Sequence, residues 1–196
     1  EHYGSGEPYM PVLEALNTLC RLAGGPALLR TMRDVAPTWL LQMPWFVSDA
    51  DRHLLQREAA GATQDRMLRE FGELVDRMPR DAPVMLVLED LHWSDHATVQ
   101  LLGYLAHRRG PAGLMVLGTL RPTELVLEEH PLGSLRQQLR ARRLSVEIDL
   151  ESLSEADIGA LLAARFDDEA PETFVRSLHA HTAGLPLFVV NVVDEL

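Results

Sequence analysis

Val84-Met85-Leu86-Val87-Leu88-Glu89-Asp90-Leu91-His92-Trp93-Ser94-Asp95 is the stretch that decides the fold. Its first five residues are apolar without a break, and two carboxylates follow at once. An unbroken apolar run predicts a strand buried on both faces, as in parallel sheets. Pro83 precedes it, where a missing N–H does least harm. Glu89 and Asp90 then fall just past the carboxyl end of the strand. In open α/β sheets that edge is where ligands bind. Carboxylates there can hold a hydrated Mg²⁺ or orient a water for attack on a phosphate. A buried strand ending in a solvated acidic turn also accounts for these residues.

Working outward, Ser94 or Asp95 caps a helix whose inner face carries Val99, Leu102 and Leu105. Gly110-Pro111 stops it, and Leu114 to Leu117 reads as a second strand. Strand, helix, strand in this order is a βαβ unit, nearly always right-handed and parallel. The second strand runs into Gly118-Thr119-Leu120-Arg121-Pro122. Thr119 and Arg121 are therefore expected at the same edge as Glu89 and Asp90. A guanidinium there can read a terminal phosphate by paired hydrogen bonds. Structural pairing of Arg121 with Asp90 is the competing reading.

Upstream, Pro11 suits a first helical turn, and Val12, Leu13, Leu16, Leu19 and Cys20 recur at helical spacing. Gly24-Gly25-Pro26 ends that helix and a shorter one follows to Met32. Two prolines break the stretch from Pro37 to Phe46. Its two tryptophans fit a packed connector or a partner surface. Ser48 caps a long helix that Gly61 bends or splits and Pro79 stops. Met67, Leu68, Phe71, Leu74, Val75 and Met78 form its apolar stripe, and the Arg and Glu residues between read as its wet face.

Downstream, Pro131 to Arg142 reads as a helix. Leu144 to Leu150 alternates apolar and polar, predicting a strand with one wet face. Ser154-Glu155-Ala156-Asp157 resembles a capping box that opens a helix through Phe166. Two more helices begin at Pro171 and at Leu185-Pro186. The pattern changes near Leu150 from mixed α and β to helices only, which sets the expected domain boundary there.

Composition excludes several classes. A formal charge of −11 over 196 residues argues against a broad nucleic-acid or anionic-membrane surface. No apolar run approaches the ~20 residues of a membrane span. The lone Cys20 forms no internal disulfide, which suits the cytosol. All eighteen basic residues are arginine. A phosphate loop of the form G-x-x-x-x-G-K-[ST] therefore does not occur in these residues, and Gly4-Ser5-Gly6 and Gly24-Gly25 read as turns. No G-x-S-x-G elbow is present either.

The run Leu88-Glu89-Asp90-Leu91-His92-Trp93-Ser94-Asp95 resembles the Walker B segment of bacterial STAND-type signal-transduction ATPases, of the AAA-like P-loop class. Leu117-Gly118-Thr119-Leu120-Arg121-Pro122 is similar to their sensor strand. Thr182-Ala183-Gly184-Leu185-Pro186-Leu187-Phe188 is similar to the Gly-x-Pro motif of their helical lid. Gly6 to Leu16 is similar to the segment after their second strand. The resemblance implies an α/β fold: a partial P-loop NTPase parallel sheet with flanking helices, followed by an all-α lid. Residues 1–150 would be the partial nucleotide-binding domain, without its first strand and phosphate loop. Residues 151–196 would begin the lid.

The resemblance also implies roles. Glu89 holds Mg²⁺ through water, Asp90 polarises the attacking water, and Thr119 and Arg121 lie toward the terminal phosphate. Pro186 packs near the adenine. His92 and Trp93 match family positions but receive no chemistry, since His92, Asp95 and His96 fit an ordinary helix-entry turn. The implied parent is a cytoplasmic, multidomain signalling or transcriptional regulator. It would bind ATP with Mg²⁺, hydrolyse it slowly to ADP, and use the nucleotide state to move the lid and act on other domains of its own chain. It would contact neither nucleic acid nor membrane through this segment. The 196 residues alone are expected to be inactive. A degenerate, non-catalytic protein–protein scaffold of the same fold is the alternative. If the family's central strand is missing, the Leu114 and Leu144 strands should stand apart rather than pair.

Overall fold

A computed structural model describes residues 7–61, 63–78, 83–108, 113–127, 129–166, 168 and 170–195. The Gly4-Ser5-Gly6 turn and the stops at Pro79 and Gly110-Pro111 lie outside the described residues. The chain divides into two compact units, 1–146 and 147–196.

The first unit opens with helices α1 (Met10–Arg21), α2 (Gly25–Val35) and α3 (Pro37–Leu41), followed by a tight turn at Pro44–Phe46. Proline stands in the first turn of each of these helices, where its missing N–H costs nothing. Val12, Leu13, Leu16 and Cys20 turn inward, whereas Leu19 faces solvent. Trp39 is fully buried and is the centre of the core. Its ring lies 5.0 Å from the rings of both Tyr9 and Phe71, and its indole N–H donates to the Met67 carbonyl at 2.8 Å. Trp45, the other tryptophan of the connector, is exposed and donates to Asn17.

Gly61 does split the long helix. With φ at +74° it separates α4 (Asp49–Glu58) from α5 (Gln64–Arg77). Ser48 caps the first and Thr63 the second. Phe71, Leu74 and Val75 are buried as the stripe predicts. Glu70 corrects the reading of the intervening charges as a wet face. Its buried carboxylate accepts from the Thr38 N–H and hydroxyl, each at 2.9 Å, and from Arg66 Nε at 2.7 Å. It thereby caps α3 from outside, at the positive end of that helix. An Arg–Glu pair at i, i+4 looks like surface in a sequence. Only the arrival of α3 makes it interior.

Strands β1 (Val84–Leu88) and β2 (Leu114–Gly118) pair in parallel, in register from Val84↔Leu114 to Leu88↔Gly118. They form the only sheet among the described residues. Helix α6 (His96–His107) makes the crossover between them. It is followed by α7 (Pro122–Leu127) and α8 (Pro131–Ala141). Leu88, Leu91, Val99, Leu102, Leu125 and Leu132 pack together under this sheet. The expectation of burial on both faces is corrected, because Met85 and Val87 of β1 and Met115 and Leu117 of β2 are exposed. In this two-stranded sheet one face is covered.

The strand expected at Leu144–Leu150 does not form. These residues join no ladder, and Val146, Ile148 and Leu150 are 91%, 79% and 92% exposed. Alternation provides two faces, but backbone groups also need a neighbouring strand, and a lone strand gains nothing in water.

In the second unit, α9 (Glu155–Phe166), α10 (Glu172–Thr182) and α11 (Pro186–Asp194) pack around Ile158, Leu162, Val175, Leu178, Val189 and Val193. The capping box is present, with Ser154 N–H donating to Asp157 and Asp157 N–H returning to the Ser154 hydroxyl oxygen. Gly184 has φ of +68°, and a Cβ there would lie 2.2 Å from the Leu153 carbonyl oxygen. Only glycine lets the Leu153 N–H reach the Gly184 carbonyl at 2.7 Å. No helix of the described residues is long and apolar enough to cross a membrane.

Candidate functional site

Because β1 and β2 are parallel and in register, the segments leaving them emerge at one edge. Thr119 stitches the two together. Its N–H donates to the Leu88 carbonyl at 3.1 Å, and its own carbonyl accepts from the Leu91 N–H at 2.8 Å. Its hydroxyl oxygen accepts the Asp90 N–H at 2.9 Å. Asp90 is thereby held in the left-handed region, with φ 52° and ψ 46°. Few residues other than glycine take that conformation, and Asp is among the more tolerant. At Gly118 an added Cβ would run into Leu91 Cδ1, so the Leu91 side chain would have to shift.

A tight turn at Leu91–Trp93 follows Asp90 and buries His92, which is 1% exposed. His92 Nδ1 accepts the Arg121 N–H at 3.3 Å, so the neutral ring carries its proton on Nε2. Nε2 lies 3.1 Å from Glu124 Oε2 and 3.9 Å from Asp90 Oδ1. The Glu124 contact is close enough for an ion pair, but its angle falls short of a hydrogen bond, so Nε2 has no partner of that kind. The Arg121 guanidinium meets Glu124 Oε1 at 3.1 Å. Glu124, rather than Asp90, is thus the structural partner of Arg121. The Glu89 carboxylate is exposed and pairs with none of the described residues.

Asp95 is the cap of α6, its Oδ1 accepting from Thr98 N–H at 3.0 Å and from Tyr9 N–H at 3.2 Å. It therefore ties the start of α1 to the turn. His130 ties α8 to the same turn, with Nε2 2.8 Å from the Ser94 carbonyl and Nδ1 accepting the Leu132 N–H. Among the described residues no group of three or more His, Cys, Asp or Glu side chains is placed to hold a metal ion. Asp95 caps α6 and His96 is its first residue, so His92, Asp95 and His96 stand in a helix-entry turn.

Of the residues singled out from sequence, Glu89, Asp90, Thr119 and Arg121 leave the paired ends of β1 and β2. Pro186 is the first residue of α11, in the unit 147–196. Sequence reading named the buried His92 without giving it a role, and passed over Glu124. The signal for His92 was present: a histidine flanked by a Leu and a Trp in a capped turn has little access to water. Glu124 gave none.

The profile of the AAA ATPase domain family matches residues 1–117, more than half of the 196. The chain belongs to that family. No curated protein and no solved structure matches it. AAA ATPase domains generally bind ATP and Mg²⁺, and the mostly helical unit around a small parallel sheet is consistent with a partial α/β fold of the P-loop kind.

Proposed function

We propose that this chain belongs to the ATP-binding and hydrolysing switch module of a multidomain signalling or transcriptional regulator of the STAND type, and supplies its acidic edge and helical lid rather than a module active by itself. The observation that carries this reading is the edge itself: two carboxylates and an arginine leave the paired ends of parallel strands in a chain of the AAA ATPase family. The donor set fits the cofactor. Mg²⁺ is commonly bound by one or two carboxylates together with substrate phosphates, which needs no all-protein cage. Glu89, exposed and unpaired among the described residues, would hold Mg²⁺ through water. Asp90, fixed by Thr119, would polarise the attacking water. Arg121 would meet the terminal phosphate. The unit 147–196, with Pro186 opening α11, would act as the lid that senses the nucleotide state and passes it to other domains.

Mg-ATP calorimetry tests this reading. The lysine-free 196 residues should bind negligibly, for want of a G-x-x-x-x-G-K-[ST] loop. The same residues joined to a segment bearing such a loop should bind in the micromolar range. No binding by the longer chain would overturn the reading. One observation favours the alternative of a non-catalytic scaffold: the exposed apolar face of β1 and β2, suited to covering by another protein surface.

A further inference from the structure

His92, Glu124 and Arg121 form a closed ring of contacts. Arg121 N–H reaches His92 Nδ1 at 3.3 Å, His92 Nε2 faces Glu124 Oε2 at 3.1 Å, and Glu124 Oε1 meets Arg121 Nη1 at 3.1 Å. We propose that His92 and Glu124 are the positioning residues of Arg121. His92 fixes the main chain of Arg121 and Glu124 parks its guanidinium. The functional sense of this rests on the reading of Arg121 as the group that meets a terminal phosphate.

Three physical points support it. First, a buried ring whose Nδ1 accepts a hydrogen bond must carry its proton on Nε2, and a buried donor without an acceptor is costly. The nearer of the two carboxylates that face it is that of Glu124, with Oε2 at 3.1 Å against 3.9 Å for Asp90 Oδ1. Second, the Arg121 side chain is 63% exposed, so its pairing with Glu124 is weak and readily exchanged for an anion of higher charge. Third, when Arg121 leaves, Glu124 Oε2 still lies 3.1 Å from the buried His92 Nε2, a donor in need of an acceptor. The exchange strands no carboxylate, and the His92 bond keeps the Arg121 backbone aimed while its side chain moves.

The test uses the 196-residue chain without nucleotide, at a pH well above the ordinary imidazole range. Nitrogen spectra of the His92 ring should show the Nε2–H form. Amide exchange at Arg121 should be slow in the wild type and about tenfold faster in His92→Phe. His92→Asn, whose side-chain oxygen can stand where Nδ1 stands, should restore the protection. Glu124→Gln should leave that amide protected but let phenylglyoxal modify Arg121 several-fold faster. The Nδ1–H form in the wild type would overturn the proposal, and so would equal exchange in wild type and His92→Phe, or unchanged modification in Glu124→Gln. The ring spectrum needs no variant, so it decides even if His92→Phe fails to fold. None of these readouts involves ATP. Failure of the ATPase reading would leave them unchanged, and their failure would leave the ATPase reading standing.

Discussion

Asp90 sits in a backbone region that few side chains occupy, and its N–H is held there by the Thr119 hydroxyl. Such strain at the end of a strand is commonly tied to function. In a form of the chain that binds nucleotide, Asp90→Asn should lower kcat about a hundredfold while shifting affinity little, the signature of a group used in the transition state. Steady-state hydrolysis beside calorimetric binding checks it; equal losses in both would contradict the role. Gly118→Ala is expected to destabilise by about 1–3 kcal/mol in urea unfolding, because the added methyl must displace Leu91. Tyr9 gives a pH dependence. Burial first, then the Asp95 and Asp65 carboxylates, holds its phenol above the ordinary range. A raised folded value means that the contribution of Tyr9 is full below the unfolded phenol pKa. It is lost as pH climbs from there through the folded value. Tyr9→Phe should remove this alkaline loss of stability while leaving the neutral-pH fold intact, as unfolding curves across that range would show.

Glu70 and Ser154 show how an element is started from outside and from within. Glu70→Ala strips the Thr38 N–H and hydroxyl of their acceptor and should cost about 2 kcal/mol, of which only the part carried by the hydroxyl should be shared with Thr38→Val in a double-mutant cycle. Ser154→Ala should cost about 1 kcal/mol by removing the cap of α9. The Ser154 hydroxyl, then its N–H, holds the Asp157 carboxyl below the ordinary range. This contribution is present above the unfolded carboxyl value and fades as pH falls through the folded one, so the Ser154→Ala deficit should shrink in acid. Elements that announce themselves locally were legible in the sequence. The apolar runs at β1 and β2 and the caps at Ser48, Asp95 and Ser154 are all local signals. What depended on a distant neighbour was not. Glu70 reads as solvated until α3 arrives. Leu144–Leu150 reads as a strand until it is found to have no ladder. The edge residues could be listed from the sequence because the parallel crossover fixes where they emerge. The ring through His92 could not, because Glu124 sits on α7, a helix that no periodic pattern predicts.

For the molecule as a whole, the exposed Met85, Val87, Met115 and Leu117 and the alternating stretch around Val146, Ile148 and Leu150, which joins no ladder, offer apolar side chains. Surfaces of this kind recruit other strands. The purified 196 residues are expected to self-associate as concentration rises, by light scattering, and Val146→Lys with Ile148→Lys should suppress it. A concentration-independent monomer would contradict this. The parallel pairing of β1 with β2 also has a consequence in time. The bonds from Asp90 to Thr119 and from Arg121 to His92 each span 29 positions of chain. Helices assemble from neighbours within microseconds, whereas such distant partners meet only after the intervening chain has closed into a loop and α6 has docked. In a refolding trace read residue by residue, protection at Asp90 and Arg121 should therefore rise in the slowest phase, after the helices around Trp39 are in place. The edge is then the last part of the chain to be born and the first to be lost when folding falters.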